Sequence, residues 1–153
     1  SGSDRLNCHM SLTATIKSIQ DIMRKDVGVD GDAQRIGQLG WMLFYKIFSD
    51  QDAELELNED DYESPIPLDL RWDEWADSTK LGKNAPTGQE LLELIEELFK
   101  RFKALTGDEL EGIAKQRALL LRSVFEDAYN YMKSGTLLRQ VVDKINESID
   151  FNQ

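Results

Sequence analysis

Thiols and imidazoles are almost missing from this sequence: one cysteine, Cys8, and one histidine, His9, in 153 residues. No zinc-spaced Cys/His cluster can be assembled from them, and no histidine is placed for a catalytic triad. The two lie side by side in Ser1-Gly2-Ser3-Asp4-Arg5-Leu6-Asn7-Cys8-His9-Met10. Residues 1–9 read as an expression-tag remnant, because His9-Met10 is what a common cloning site encodes, and Met10 reads as the native start. A Cys8–His9 metal or nucleophile site is set aside, since such pairs are brought together by a fold rather than by chain adjacency. The thiol-free remainder fits a reducing cytoplasm. A glycine-rich phosphate loop is also lacking. No apolar run is long enough to span a bilayer, the longest lying near residues 40–45, and no secretory signal is found. Carboxylates are plentiful, but no local pattern forces two of them into a buried pair, so a glycosidase-type reading has no support.

The length suits one domain, which at this size buries about 68–70% of its unfolded surface and needs no disulfide or metal to fold. The formal charge is −11, a balance that favours solubility and argues against a general nucleic-acid binder. It is unevenly spread. Residues 50–63 hold eight acids and no base, and are expected to form a solvated loop or frayed helix end. Residues 115–144 hold six bases against three acids, so the C-terminal third has the sign to meet a polyanion.

Strand signals are scarce and helical ones abundant, which predicts an all-α fold: a compact multi-helix bundle of about five main helices with a long acidic loop. Leu12, Ile16, Ile19 and Met23 have the spacing of an amphipathic helix. It breaks at Asp26-Val27-Gly28-Val29-Asp30-Gly31, which resembles a calcium loop only in part and lacks its oxygen ligands at Gly28 and Gly37. Asp32 is the expected N-cap of the second helix. There Ile36, Leu39, Gly40, Leu43, Phe44, Ile47 and Phe48 cover a wide apolar arc, predicting burial on more than one side and a central position. Gly37 and Gly40 imply close helix–helix approach, and Arg35, Gln38, Met42, Tyr45 and Lys46 occupy the remaining narrow face. Arg71-Trp72-Asp73-Glu74-Trp75-Ala76 predicts a helical turn whose tryptophans pack, base stacking being the alternative. Thr87-Gly88-Gln89-Glu90 has capping-box spacing, followed by the stripe Leu91, Leu94, Ile95, Leu98, Phe102 and Leu105, with Glu96/Lys100 and Glu97/Arg101 as i, i+4 pairs. A helix over residues 116–132 turns Leu120, Leu121, Val124, Phe125, Ala128 and Met132 inward and Tyr129 outward. A last helix buries Leu138, Val141, Val142, Ile145 and Ile149.

In this order the segments resemble the N-terminal helical domain of the modification subunit of type I restriction–modification systems. The likeness runs from Asp32-Ala33-Gln34-Arg35-Ile36-Gly37-Gln38-Leu39-Gly40-Trp41 through the tryptophan turn and Thr87-Gly88-Gln89-Glu90. It continues in Ser123-Val124-Phe125-Glu126-Asp127-Ala128-Tyr129-Asn130-Tyr131-Met132-Lys133-Ser134-Gly135 and ends in Ile149-Asp150-Phe151. It covers the chain from about Leu12 to Asn152, so residues 10–153 read as that domain. The resemblance implies a parent enzyme that methylates adenine N6 in DNA with S-adenosylmethionine. It also implies assembly with a specificity subunit, a second modification subunit and a restriction subunit on double-stranded DNA. The family's Asn-Pro-Pro-aromatic motif has no counterpart, Asn84-Ala85-Pro86-Thr87 differing at two positions, so no catalytic or cofactor residue is assigned and that chemistry is expected beyond Gln153. What remains is a non-catalytic lobe that helps assembly and clamps DNA through phosphate contacts, which position without specifying. The candidates are Arg35, Lys46, Arg122, Lys133 and Arg139, with local pairing of Arg122 to Glu126 and Arg139 to Asp143 as the competing role. A pure protein-docking module is the alternative. An acidic DNA mimic is disfavoured, because the carboxylates are concentrated in one stretch.

Overall fold

The computed structural model describes residues 2–149, with side chains described from residue 12 onward. Cys8 and His9, as side chains, and Asp150-Phe151 therefore lie outside the described residues. Seven helices follow in order: α1 (Gly2–Arg24), α2 (Gly31–Asn58), α3 (Trp72–Trp75), α4 (Ser78–Leu81), α5 (Gly88–Lys103), α6 (Gly112–Glu126) and α7 (Gly135–Ser148). Short 3₁₀ turns occupy Leu68–Leu70 and Gly82–Asn84. No strand occurs among the described residues, so the all-α expectation holds, with five long helices and two of a single turn.

Helix α2 holds a central place as expected, its Trp41 and Tyr45 reaching rings of α3, α5 and α6, and the other hub of the fold is α7. It packs on α1, α2 and α5, and α5 packs in turn on α6. Leu138, Val141, Val142 and Ile145 are fully buried, and Ile149 nearly so, as their spacing predicts. The second centre is aromatic. The Phe125 ring sits edge-on to Phe99 and Phe102, with centroids 4.9 and 5.0 Å away. Tyr45 stacks on Trp75 at 6.2 Å. The Tyr45 hydroxyl and the Trp75 indole N–H both donate to the carbonyl of Leu70, so neither buried polar group is orphaned. Burial drives the Tyr45 hydroxyl pKa well above its ordinary value, which keeps the proton it donates. Trp72 is also buried, its indole donating to Asn146 Oδ1 at 2.8 Å. Both tryptophans are packing residues, unavailable for base stacking.

Several local expectations are corrected. Helix α2 is rotated relative to the predicted phase. Gln38, Met42, Tyr45 and Lys46, assigned to its narrow outer face, are buried, while Ile36 is 64% exposed. Gly40 meets nothing within 4 Å and Gly37 only the Tyr131 ring edge at 3.6 Å, so no helix presses on either. The N-cap of α2 is Asp30, and Asp32 lies within its first turn, paired with Arg35. Leu12 and Leu120 are more exposed than predicted. Arg101 reaches Asp69 at 2.6 Å rather than serving only its own helix.

The acidic stretch is not a loop throughout, because α2 continues to Asn58. Two of its acids are buried for structural reasons. Asp50 accepts from Lys46 Nζ at 2.7 Å. Asp52 accepts from the Tyr62 and Ser64 hydroxyls and lies 3.7 Å from Arg117 Nε. Burial first, and the bond to Asp52 second, push the Tyr62 hydroxyl pKa up. Arg117 also stacks over Phe48 and donates to its carbonyl, which ties α6 to α2.

Helix α6 ends at Glu126, not at Met132, and the chain then runs irregularly to α7. Two side chains from the first third of the sequence take over its backbone groups. Gln38 accepts from the Tyr131 amide at 2.7 Å and donates to Asn130 Oδ1 at 2.8 Å. The buried Asp26 carboxylate accepts from the amides of Gly28, Lys133 and Ser134 at 2.8 to 3.1 Å. The partial calcium-loop motif is thus an amide anchor. Ser134 then caps α7 through the Leu137 amide. The capping box of α5 does not form: Thr87 makes no side-chain cap bond, and Gly88 enters the helix with φ of 58°.

The starts of α5 and α7 meet backbone to backbone. A Cβ on Gly135 would lie 1.8 Å from the carbonyl oxygen of Gly88. Gly135→Ala should therefore destabilise the domain by about 3 kcal/mol or more, the upper end of overpacking costs, because the obstruction is main chain. Gly40→Ala meets open space on a helix and should stabilise by up to about 1 kcal/mol. Urea unfolding of the two variants checks the opposite signs. Asp26→Ala leaves partly buried amides without their acceptor, at about 1 kcal/mol or more each. It should lower unfolding free energy by about 3 kcal/mol or more and raise hydrogen exchange at Lys133 and Ser134.

Candidate nucleic-acid interface

A phosphate-binding surface needs cations that reach solvent. The five predicted ones divide sharply by this test. Lys46 is held against Asp50, 5.5 Å from the Trp72 ring centroid, with only 9% of its side chain exposed. Arg139 is equally buried. Its guanidinium donates to the carbonyls of Trp75 at 2.7 Å, Ala76 at 2.5 Å and Pro86 at 3.3 Å, and pairs with Asp143 at 2.8 Å. It fastens α7 to the chain between α3 and α5, a use of all its donors that leaves none for a ligand. Arg35 is mostly covered and paired with Asp32. Arg122 is more open; it donates to the Leu105 carbonyl at 3.0 Å and lies 3.6 Å from Glu126. Lys133 is exposed. The structure does not gather these five residues into one site.

It gathers a different set around Lys133. A groove of about 520 Å³ runs between α5 and residues 128–133. Lys100 and Lys103 line it from α5, one turn apart, and Lys133 faces them from the irregular segment. All three are exposed. Glu96 is the only acid among the lining residues. Tyr129 is 60% exposed, its ring held edge-on to Tyr131 with centroids 4.8 Å apart. Lys103 Nζ lies 5.7 Å from the Phe99 centroid, so its stem follows an apolar wall while its charge stays in water. Lys100 and Lys103 share a helix face in the sequence. Their meeting with Lys133 was invisible there, because it depends on α6 stopping early.

The other large cleft, about 590 Å³, has the opposite character. Asp50, Asp52, Glu56, Asp73 and Asp77 line it against Lys46 and Arg71, and both cations already have carboxylate partners. Phosphate would be repelled there. Among the described residues no group of three or more His, Cys, Asp or Glu is placed to hold a metal. With no strand among them, they also form no strand-to-helix glycine turn of the kind that cradles a nucleotide-like cofactor. No described helix is long and apolar enough to cross a membrane.

Comparison with known proteins adds three findings. Residues 12–145 match the family model described as HsdM N-terminal domain. The chain is 53% identical over 145 residues to the type I restriction enzyme EcoEI methylase subunit of Escherichia coli, covering 94% of this chain and 28% of that protein. Its fold matches the crystal structure of a protein described as a modification subunit of a putative type I restriction enzyme from Vibrio vulnificus YJ016. That match has a TM-score of 0.76 and 32% identity over 94% of this chain and 31% of the other. The chain thus spans less than a third of either relative, and it belongs to the HsdM N-terminal domain family of type I restriction enzyme methylase subunits.

Proposed function

We propose that this chain is the non-catalytic N-terminal lobe of a site-specific DNA adenine-N6 methyltransferase subunit, and that it helps the subunit assemble and clamp its DNA. The 53% identity to an E. coli methylase subunit, over nearly the whole of this chain, carries the reading. Residues 10–153 make up the lobe and residues 1–9 are a tag remnant. In the complete subunit S-adenosylmethionine supplies the methyl group. The residues described here do not fit that cofactor and have no part in the transfer step. The partners are the specificity subunit, a second modification subunit, the restriction subunit and duplex DNA, in the cytoplasm. Reaching adenine N6 requires the base to leave its stack. A lobe that holds the backbone of a deformed duplex lowers the cost of that step without touching the base.

A second reading, a docking module that never meets DNA, draws on the outer side of α2. There Ile36 is largely exposed and Gly40 presents open backbone. Apolar surface of this kind suits a protein partner.

The chain alone should transfer no labelled methyl group from S-adenosylmethionine to duplex DNA, and turnover above a protein-free blank overturns that expectation. Removing residues 12–145 from the complete subunit separates the two roles. Clamping predicts that the remaining complex still assembles but binds DNA more weakly, with a shallower dependence of log K on log salt. Unchanged affinity and slope in an assembled complex reject it. Loss of assembly supports a part in assembly, which both readings share, and the DNA affinity of whatever complex still forms decides between them.

A further inference from the structure

We infer that the groove between α5 and residues 128–133 is a backbone-contact site for duplex DNA, with Lys100, Lys103 and Lys133 as its phosphate ligands. The inference rests on the clamping role proposed above and assigns it a place.

Charge complementarity chooses the occupant. In a chain of formal charge −11, three exposed lysines from two elements about thirty residues apart converge on one groove with a single opposing carboxylate. The other large cleft has the reverse sign. A polyanion is therefore accepted in one place and turned away from the other. An acidic protein segment would satisfy the same charges. Duplex backbone fits better because the groove offers ammonium groups and an exposed ring but no spare planar donor–acceptor group. The Asn130 side chain, the one amide lining the groove, already accepts from Gln38 and donates to the Met132 carbonyl. Lysines act as point charges that follow phosphates without reading bases. The wall that carries Lys133 is fixed, since its own amide is bonded to the buried Asp26 carboxylate at 3.0 Å. The groove can hold a backbone in position and cannot by itself choose a sequence.

The test uses the complete modification subunit assembled with its specificity subunit. Lys100→Glu, Lys103→Glu and Lys133→Glu are combined, and binding to a duplex carrying the recognition site is titrated across salt concentrations. Thermal unfolding should be unchanged, because all three side chains are on the surface. Affinity should fall about tenfold or more, and the salt slope should fall by about 2 to 3, at about 0.9 for each phosphate that is no longer neutralised. A control reversal of Lys17 and Lys80, outside the groove, should leave the slope near its starting value; a control decrease as large as that of the groove variant overturns the assignment. So does unchanged binding by the groove variant in an intact complex. In that case the wider clamping role survives only if removal of residues 12–145 lowers the slope. Failure of the triple variant to assemble, with thermal unfolding unchanged, makes the groove a protein interface and likewise overturns the inference.

Discussion

Backbone amides that leave a helix must find other acceptors, and the geometry of this domain turns on where the segment between α6 and α7 finds them. After Glu126 the chain gives up its helical ladder. The Tyr131 amide goes to Gln38, and those of Lys133 and Ser134 go to Asp26. A buried carboxylate is costly unless its lone pairs are filled. Here backbone donors from both ends of the chain fill them, so neither the acid nor the amides are left unsatisfied. The exchange fixes the path into α7, places Gly135 against Gly88, and carries Tyr129 and Lys133 to the rim of α5. Packing of the central helix and the shape of the basic groove are two results of one set of hydrogen bonds.

That arrangement also marks the boundary of what the sequence made legible. The inward faces of α5 and α7 were readable because each is apolar on one side only, so its phase is unambiguous. The tryptophan turn was readable as packing for a similar reason: two large rings on one short element have few places to go but inward. Helix α2 was not. Its apolar residues span so much of the circumference that periodicity could not choose a phase. The choice fell instead to polar handles whose partners lie far along the chain: Tyr45 to the Leu70 carbonyl and Gln38 to residues 130 and 131. Likewise the apolar spacing of Ala128 and Met132 continues the pattern of α6, yet the backbone there follows Asp26 and Gln38. Tertiary bonds outweighed local preference at both points.

Charge was legible in amount and illegible in depth. Arg139 and Asp143 have the i, i+4 spacing of a surface pair, and they do pair, but with the guanidinium buried, where it also satisfies three carbonyls, and the carboxylate half-buried. Lys46 and Asp50 repeat the pattern. The acidic stretch has the composition of a solvated loop, yet Asp52 is enclosed by Tyr62, Ser64 and Arg117 and joins α2 to α6. Burial decides whether a charge belongs to the fold or to a ligand, and burial is a property of the assembled helices. The family, by contrast, was readable from ordered segments, since it requires only that they recur in sequence, not that their contacts be known.

An acidic lobe with one basic groove is suited to acting while tethered rather than alone. At physiological ionic strength surface charges are screened over about 8 Å, so acids of the α2 cleft beyond that range do little to a phosphate seated in the α5 groove. They matter during approach, when net repulsion slows free encounter with DNA. A lobe held beside DNA by the rest of an assembly does not depend on that encounter, because its local concentration is set by the connection. If the groove is the phosphate site proposed, three lysines would supply grip once the duplex is in place, while the surrounding negative charge would discourage the lobe from settling elsewhere on the nucleic acid. On the proposed reading, weak contact and a repulsive background, which would be defects in an independent binder, would together confine the grip to DNA that the tether brings within reach.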